Sequence, residues 1–306
     1  MSDVLTVTVN STLDITARAD RVEVDTKIRC TSTTRDPGGG GINVARAIGR
    51  VGGEATALWT RGGLFGEEVG RLMDAEGVHH VPIDIGGETR LAFAVLEEGS
   101  QRHFRFSAPG PELSDDALEA IRQTVSERRS EYLVLSGGLA PGMPPDFYAT
   151  LAAAAARGGG KVVLDTHGEE LTAGLAGGDV FLVKPNYREL AHLVGKTAED
   201  EIDVEEAARS IADTHSVTAV VVSLGKAGAL LVTADDAVDI PAPTVPVKSR
   251  IGAGDSMVGG MVHQLARGSD LETATRFGVA AGASAVMTGG TELWHPDDVE
   301  RLFGQM

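Results

Sequence analysis

The sequence predicts a three-layer α/β/α protein, in which helices cover both faces of a mainly parallel central sheet and a small β-sheet forms a lid. Short apolar runs rich in Val and Leu alternate with helical stretches through most of the chain. These runs are continuously apolar, as in strands buried on both faces, which is typical of parallel sheets. Two segments in the N-terminal half lack helices and are more polar, which favours a separate small sheet.

The main elements follow from this alternation in order along the chain. The predicted buried strands are 4–9, 55–60, 132–136, 161–165, 180–183 and 219–224. The predicted helices between them are 41–51, 66–76, 115–128, 145–156, 188–194 and 204–213. From residue 253 the chain is predicted to be largely helical, through 270–287 to 296–303.

The lid segments, at about 15–36 and 89–108, are predicted insertions in one domain that spans 1–306. In the second segment Phe104 and Phe106 alternate with His103 and Arg105, as on a sheet with one covered face. Such a lid leaves an apolar face exposed unless a second subunit covers it, so we expect a homodimer that associates through the lid.

Composition excludes several classes of partner. The 306 residues carry a net charge of −17, which argues against wide contact with nucleic acid or an anionic membrane surface. Cys30 is the only cysteine, so no intrachain disulfide can form. The N-terminus lacks a basic region followed by an apolar run, and no apolar stretch approaches ~18 residues. We expect a cytoplasmic protein.

The segment IGAGDSMVGG at 251–260 predicts an anion-binding helix N-terminus. Gly252 and Gly254 precede a run of apolar and small residues that continues to about residue 266. Consecutive N–H groups at a helix start bind anions, and glycines let a phosphate approach them. Asp255 stands where a base would take a proton from a hydroxyl that attacks a phosphoryl group. A Gly-rich turn that ends in an N-cap aspartate is the alternative interpretation.

Two N-terminal signals indicate contacts to sugar hydroxyls. Asp14 follows the first strand, where a carboxylate can accept hydrogen bonds from two hydroxyls, although a turn aspartate would look the same. The four glycines at 38–41 remove side chains from a loop, so that backbone can approach a ligand. Asn43, on the helix that follows, offers a donor and an acceptor to a polyol. The loop matches neither the GxxxxGK[ST] motif nor the usual dinucleotide fingerprint.

Two further segments indicate contacts to a nucleotide. In VKPNYRE at 183–189, Lys184 can reach phosphates, and Asn186 and Glu189 lie one helical turn apart. Glu189 is a candidate to hold Mg²⁺ through water, because Mg²⁺ prefers oxygen ligands and keeps part of its hydration shell. A helix start with a favourable acidic residue is the alternative. The segment VSLGKAG at 222–228 suits phosphates or ribose against backbone, or a plain β-turn.

Together these segments resemble the PfkB/ribokinase-like carbohydrate kinases over essentially the whole chain. Both family signatures are present, GGGGINVARAIGRVGG at 38–53 and IGAGDSMVGGM at 251–261. STLD, KIRC, VKPN and FGVAAG make the chain similar to the phosphofructokinase branch, in particular the minor-isozyme type of 6-phosphofructokinase. The resemblance implies a ribokinase-like fold, ATP and Mg²⁺, a sugar-phosphate substrate and a role in glycolysis.

The resemblance also implies roles for individual residues. Asp255 resembles the catalytic base, and the anion hole would comprise Gly252, Ala253 and Gly254. The implied sugar contacts are Asp14, Gly38, Gly39, Gly40 and Asn43. The implied contacts to the phosphate of the substrate are Arg90, assisted by Arg29 and Arg105 from this chain or a partner subunit. The implied nucleotide contacts are Lys184, Asn186, Ser223, Leu224, Gly225, Lys226, Ala227, Gly228 and the lid residue Lys27, with Glu189 associated with Mg²⁺. Lys27 also makes inhibition by excess ATP a hypothesis.

The lid arginines support a phosphorylated sugar on physical grounds. Related enzymes that act on neutral sugars do not need guanidinium groups at the lid. Arg29, Arg90 and Arg105 stand in segments suited to covering the sugar, and arginine binds phosphate through paired hydrogen bonds. Each of them alone is also explained as a solvated lid residue.

Two positions depart from the family pattern. Gly138, a further candidate substrate contact, stands where the branch usually carries a serine near the sugar phosphate, so one side-chain contact is in doubt. Relatives form a monovalent-cation site from loop carbonyls near the C-terminus, but Thr288 and Glu292 differ from that pattern. The residues implied for K⁺ are Ser249, Ile251, Ala285 and Gly290.

We therefore expect phosphorylation of fructose 6-phosphate to fructose 1,6-bisphosphate by ATP, with Asp255 taking the C1 hydroxyl proton. Fructose 1-phosphate and tagatose 6-phosphate are alternative acceptors that share the whole scaffold. A non-catalytic regulator that binds nucleotide or sugar phosphate is the alternative from another class, and the intact anion hole beside Asp255 argues against it.

Overall fold

Alternating strands and helices organise most of the chain, as described by a computed structural model for residues 3–100, 102–289 and 293–306. The strands are β1 (Val4–Thr8), β2 (Thr12–Ala19), β3 (Ser32–Gly38), β4 (Thr56–Arg61), β5 (His79–Asp84), β6 (Arg90–Glu97), β7 (Arg102–Ser107), β8 (Tyr132–Ser136), β9 (Lys161–Asp165), β10 (Leu182–Val183), β11 (Ala219–Ser223), β12 (Ala229–Thr233) and β13 (Ala237–Ile240). The helices are α1 (Gly40–Arg50), α2 (Gly63–Ala75), α3 (Asp115–Arg128), α4 (Phe147–Arg157), α5 (Gly168–Ala176), α6 (Tyr187–Leu193), α7 (Val204–His215), α8 (Ala253–Ala266), α9 (Leu271–Ala285) and α10 (Pro296–Phe303).

The main sheet is mostly parallel, as the continuous apolar runs predict. Its strand order is β13-β12-β11-β10-β9-β8-β1-β4-β5, and only β12 and β13 run antiparallel to their neighbours. Successive residues of a central strand serve different core layers: Leu133 and Leu135 pack in one cluster and Val134 packs in the other. Strands buried on both faces need apolar side chains at every position, which explains why these strands show no alternation.

The lid segments form a separate sheet of order β3-β2-β6-β7. In it β2 pairs in parallel with β6, so that Thr12 lies opposite Arg90 and Asp14 lies opposite Ala92. The first segment is not one continuous strand, because residues 20–31 separate β2 from β3 as an irregular connection. Phe106, on the outer strand β7, is 61% exposed.

Several elements differ from the prediction in instructive ways. The edge strands β5 and β13, and β12 next to the edge, were not predicted as strands, and α5 was not predicted as a helix. Strand β5 has the sequence HHVPID, in which polar residues and a proline hide the strand pattern, and a proline is tolerated at a sheet edge. Among the described helices, none combines the length and apolar character that a membrane span requires.

Candidate active site

Many of the predicted site residues lie at one edge of the main sheet. Strands β1, β8, β9, β10 and β11 are parallel, so their carboxyl ends share this edge. Ser136 ends β8, Asp165 ends β9, Lys184 follows β10 and Ser223 ends β11. Ligands of open α/β sheets bind in the crevice outside the carboxyl ends of the strands. The fold therefore assembles the motifs that the sequence places far apart.

Asp255 lies on the first turn of α8, beside backbone groups suited to an anion. Gly252 caps this helix with a φ of 73°, a conformation that glycine adopts without steric cost. The N–H groups of Ala253, Gly254 and Asp255 belong to the first turn, where α-helical geometry provides no intrahelical acceptor. The predicted anion hole is thus a helix N-terminus, with the dipole directed at a bound anion.

Asn43 and Asp255 meet in this crevice. The Nδ2 of Asn43 donates a hydrogen bond of 2.8 Å to the Oδ2 of Asp255. Burial and the negative charge of Asp165 raise the pKa of Asp255 to about 6, against the hydrogen bond from Asn43 and the charge of Lys184. A base whose pKa lies near the working pH is both ionised and able to take a proton.

Lys184 and Asp165 form a buried ion pair behind the N-terminus of α8. The Nζ of Lys184 lies 2.9 Å from an oxygen of Asp165, and the lysine side chain is 5% exposed. Burial opposes the lysine charge, but the carboxylates of Asp165, Glu189 and Asp255 together raise the pKa of Lys184. A Cβ on Gly254 would lie 3.7 Å from the lysine Nζ. The ammonium group is therefore charged and close to the anion hole.

The glycine loop packs so closely that side chains would not fit. A Cβ on Gly38 would lie 2.5 Å from the Asp14 carboxyl group, and one on Gly40 would collide with the Oγ of Ser136. Gly39 has a φ of 115°, and a Cβ there would collide with Thr8. These glycines bring the loop backbone against both the lid and the end of β8.

Asp14, on β2 of the small sheet, has one buried carboxylate oxygen that is unsatisfied. Within the described part of the chain, its buried Oδ1 has no hydrogen-bond partner. Burial raises the pKa of Asp14 to about 6, and the charge of Arg90 opposes that rise. A buried carboxylate oxygen without a donor is costly in the absence of a ligand, so this atom is suited to a sugar hydroxyl.

Arg90 lies next to Asp14 on the same face of the small sheet. Its Nη1 donates to the Oγ of Ser107 at 2.7 Å, and its Nε donates to the carbonyl of Asn10 at 3.2 Å. The side-chain amide of Asn10 donates in turn to the carbonyl of Leu139 at 3.0 Å. This chain of contacts fixes Arg90 between the lid and the loop after β8.

The other lid cations are not held against this group. Lys27 and Arg29 lie in the irregular connection 20–31, outside the strands of the small sheet, and are exposed. Arg105 is opposite Ala94 on the outer strand β7, on the Asp14 face of the sheet, and is also exposed. Of the three lid arginines, the structure brings only Arg90 next to Asp14 in a single chain.

The space beside Gly138 is filled by an imidazole ring. A Cβ on Gly138 would lie 3.0 Å from the Cε1 of His167, a residue that precedes α5 and that sequence reasoning did not select. The ring occupies part of the volume that a serine side chain would need. A serine at this position would therefore have to displace the His167 ring.

Asn186 and Glu189, both predicted to contact the nucleotide or its Mg²⁺, form a capping box at the start of α6. The Oδ1 of Asn186 accepts from the N–H groups of Arg188 and Glu189, and Glu189 Oε2 accepts from the Asn186 N–H at 2.8 Å. Burial raises the pKa of Glu189, against this hydrogen bond and the charge of Lys184. The structure therefore shows the helix start with a favourable acidic residue that the sequence also allowed. The second carboxylate oxygen of Glu189 can still make a further contact.

The turn predicted for the nucleotide joins the antiparallel strands β11 and β12. It contains one 3-10 turn, Gly225–Ala227, and Gly228 has a φ of 105°. Ser223 pairs with Asn186 through a parallel bridge, and its N–H donates to the carbonyl of Pro185 at 2.9 Å. The turn therefore lies beside the capping box at the same sheet edge.

The residues predicted for a monovalent cation are only partly described. Ser249 donates its N–H to Val286 at 3.3 Å, which places this loop beside the end of α9. The Ala285 carbonyl accepts from both the N–H and the hydroxyl of Thr288. Gly290 lies outside the described residues. In the described ranges no three His, Cys, Asp or Glu side chains cluster as a metal site.

Comparison with known proteins identifies the family of this chain. The family model for the pfkB family carbohydrate kinases matches residues 5–297. The chain is 39% identical over 307 residues to ATP-dependent 6-phosphofructokinase isozyme 2 of Escherichia coli K12, which covers 100% of this chain and 99% of the relative. It is 32% identical to a 1-phosphofructokinase of Rhodobacter capsulatus, covering 98% of this chain and 95% of the relative.

Solved structures of the Escherichia coli phosphofructokinase-2 are similar throughout. The complex with fructose-6-phosphate has a TM-score of 0.94 at 38% identity and covers 100% of this chain and 99% of that one. The complex with potassium has a TM-score of 0.95, and a tetrameric inhibited form has a TM-score of 0.93, with the same identity and coverage.

Proposed function

Because this chain belongs to the pfkB family of carbohydrate kinases, we propose that it transfers the γ-phosphoryl group of ATP to the C1 hydroxyl of fructose 6-phosphate. The observation that carries this proposal is the hydrogen bond of 2.8 Å between Asn43 and Asp255. It joins the glycine loop suited to a sugar with the helix N-terminus suited to a phosphate. A hydroxyl held by the first would face the base on the second.

Different side chains bind the sugar phosphate and the nucleotide, at opposite ends of the crevice. At the lid end, Asp14 accepts hydrogen bonds from sugar hydroxyls and Arg90 binds the phosphate already on the sugar. At the other end, Lys184 and the turn Ser223–Gly228 hold the nucleotide phosphates. Between them Asp255 takes the proton of the attacking hydroxyl, and the N–H groups of Gly254 and its neighbours stabilise the charge that develops on the transferred group.

The donor set fits Mg²⁺ as the partner of the nucleotide. Asp165 and Glu189 offer hard oxygen ligands of the kind that Mg²⁺ prefers, and the charge of Asp165 raises the pKa of Glu189. A cation near both carboxylates would relieve this repulsion. Bound Mg²⁺ would neutralise charge on the nucleotide phosphates during transfer. We propose that Glu189 holds it through water.

Three further roles rest on the family relationship. Potassium would bind near Ser249, Ile251, Ala285 and Gly290, as the potassium complex of the Escherichia coli relative suggests. Lys27 would contribute to inhibition by excess ATP, and a tetrameric inhibited form of that relative is known. A homodimer would form through the lid, where Val24 is 86% exposed and Phe106 is 61% exposed.

A different phosphosugar is the second candidate substrate. The 1-phosphofructokinase of Rhodobacter capsulatus matches nearly the whole chain, and His167 beside Gly138 changes the volume near the predicted phosphate position. Initial rates with ATP and Mg²⁺ should be measured for fructose 6-phosphate, fructose 1-phosphate, tagatose 6-phosphate and fructose. We expect the highest kcat/KM for fructose 6-phosphate. A higher kcat/KM for either other phosphosugar would reassign the substrate, and no turnover of any would favour a binding protein.

A further inference from the structure

Arg46 is a charged side chain in the core of the protein that the proposed reaction does not yet use. It lies on α1, one turn after Asn43, and is 2% exposed. A buried guanidinium group is costly unless all its donors are satisfied. Arg46 lies three residues after Asn43, the residue that donates a hydrogen bond to Asp255.

The guanidinium group of Arg46 is anchored by Glu76 and donates hydrogen bonds to two other residues. Its Nε and Nη2 donate to the two oxygens of Glu76 at 2.8 and 2.6 Å, a paired geometry that fixes the plane of the group. Its Nη1 then donates to the carbonyl of Pro37 at 3.1 Å and to the Oδ1 of Asn43 at 3.2 Å. Asp36 adds a carboxylate oxygen at 3.6 Å from Nη2.

The contact with Asn43 determines which way its amide faces. Arginine offers only donors, so the atom of Asn43 that it contacts must be the oxygen. The amide nitrogen then faces Asp255 and donates to its Oδ2. A flipped amide would set NH₂ against the guanidinium group and an oxygen against the carboxylate, losing both hydrogen bonds.

The same group also fixes the loop that approaches the sugar. Pro37 and Asp36 belong to the end of β3, directly before the glycine loop, and Asp36 lies opposite Asp14 in the small sheet. One buried cation thus contacts the start of the glycine loop on one side and the partner of Asp255 on the other. A shift of Arg46 would therefore move the glycine loop relative to Asn43.

We propose that Arg46 is a positioning residue: anchored by Glu76, it orients the amide of Asn43 toward Asp255 and holds the glycine loop in register with that base. The inference rests on the proposed function for its catalytic consequence, but the orientation of Asn43 is a property of the unliganded protein. Arg46 touches neither substrate in this arrangement and acts only through Asn43 and Pro37.

The test compares Arg46→Lys with Arg50→Lys, a matched change one turn further along α1, where Arg50 contacts the Trp294 carbonyl. Lysine keeps the charge but lacks the fork that serves several acceptors at once. We expect Arg46→Lys to lower kcat by roughly 10- to 100-fold, with the KM for ATP changed by less than about 2-fold. Arg50→Lys should retain wild-type values.

The titration midpoint of Asp255 reports the orientation of Asn43. A role of Arg46 in stability alone would leave this midpoint unchanged. The charges around this carboxyl are those of Asp14, Asp165 and Lys184, and the hydrogen bond from Asn43 favours its ionised form. Carbon-13 NMR of labelled aspartate, assigned with Asp255→Asn, should show its midpoint at higher pH in Arg46→Lys and unchanged in Arg50→Lys. An unchanged midpoint in folded Arg46→Lys would overturn the proposal.

Two controls keep the result decisive. If Arg46→Lys does not fold, Glu76→Gln retains Arg46 while removing one oxygen of its anchor, and it should move the same midpoint in the same direction by less. No movement there would also overturn the proposal. Failure of wild-type protein to phosphorylate any phosphosugar would instead refute the proposed function, and the titration would still test the orientation of Asn43.

Discussion

The amide nitrogen of Asn43 lies 2.8 Å from a carboxylate oxygen of Asp255, although 212 residues separate them in the chain. Asn43 is fixed by α1 beside the glycine loop, and Asp255 by the N-terminus of α8. This contact joins the two family signatures into one crevice. The predictions below follow from it and from the charges around it.

Asp255→Asn should abolish most of the turnover while leaving substrate binding largely intact. Asparagine is nearly isosteric but cannot accept the hydroxyl proton, so we expect kcat to fall by about 10²-fold or more. Isothermal titration with ATP and fructose 6-phosphate would measure binding. Asp213→Asn, an exposed change on α7, serves as the control. Near-normal kcat in Asp255→Asn would remove this residue from the mechanism.

The pH dependence of kcat/KM should respond with opposite signs to two neighbouring substitutions. This parameter reports ionisation in the free enzyme, in which the pKa of Asp255 is about 6. Asp165→Asn removes a charge that raises this pKa and should move the acid limb to lower pH. Lys184→Met removes a charge that lowers it and should move the limb to higher pH. Shifts of the same sign would contradict this electrostatic account.

Arg90→Ala should weaken binding of the sugar phosphate far more than binding of ATP. Arg90 lies beside Asp14 at the lid end of the crevice, so we expect the KM for fructose 6-phosphate to rise by roughly 10-fold or more, as for loss of a charge-assisted contact. Arg102→Ala changes the next strand of the same sheet, where Arg102 pairs with Glu97 at 3.0 Å, and should leave both KM values unchanged. Equal effects of Arg90→Ala on the two KM values would refute the role.

Asp14→Asn should stabilise the protein at neutral pH while impairing activity. Folding raises the pKa of Asp14 from 3.8 to about 6, so the ionised carboxyl lowers stability above pH 6, and this penalty disappears as the pH falls toward 3.8. Asparagine carries no such penalty. We expect the Tm to rise by a few degrees at pH 7.5 and to match the wild type near pH 4. A Tm gain that does not depend on pH would contradict this explanation.

Gly40→Ala should damage the sugar loop, whereas Gly49→Ala on the same helix should not. A methyl group on Gly40 would collide with Ser136 and lie 2.8 Å from the Gly137 nitrogen, while one on Gly49 would meet nothing within 4 Å. We expect kcat/KM for the sugar to fall by roughly 10-fold or more in Gly40→Ala. Gly49→Ala should raise helix stability slightly. Equal activity of both variants would show that the close packing of the loop is dispensable.

Most of the fold could be predicted from the sequence because local patterns determine it. Buried parallel strands need apolar side chains at every position, so β1, β8 and β9 were visible as continuous runs. Edge strands lack this signal: β5 carries two histidines and a proline, and β13 is only partly buried. The connection 20–31 alternates like a strand but pairs with no neighbour over most of its length.

Site residues were predictable where a motif is contiguous and not where a role depends on distant contacts. Asp255 and Asn43 lie in glycine-rich segments, which indicate a ligand-binding site. Arg46 resembles an ordinary helix residue, and its role appears only when Glu76, 30 residues away, provides the anchor. In the sequence Asp165 likewise looks like the last residue of a strand, and only the structure shows its ion pair with Lys184. Such pairings arise from the topology of the sheet and carry no local sequence signal.

Phosphorus-31 NMR of the wild-type protein and of Asp255→Asn, each with ATP, Mg²⁺ and fructose 6-phosphate, shows whether Asp255 promotes transfer to the C1 hydroxyl. We expect wild-type protein to form ADP and fructose 1,6-bisphosphate in equal amounts, and Asp255→Asn to do so at least about 10²-fold more slowly. Transfer to a hydroxyl other than C1, or equal rates for the two proteins, would contradict this expectation.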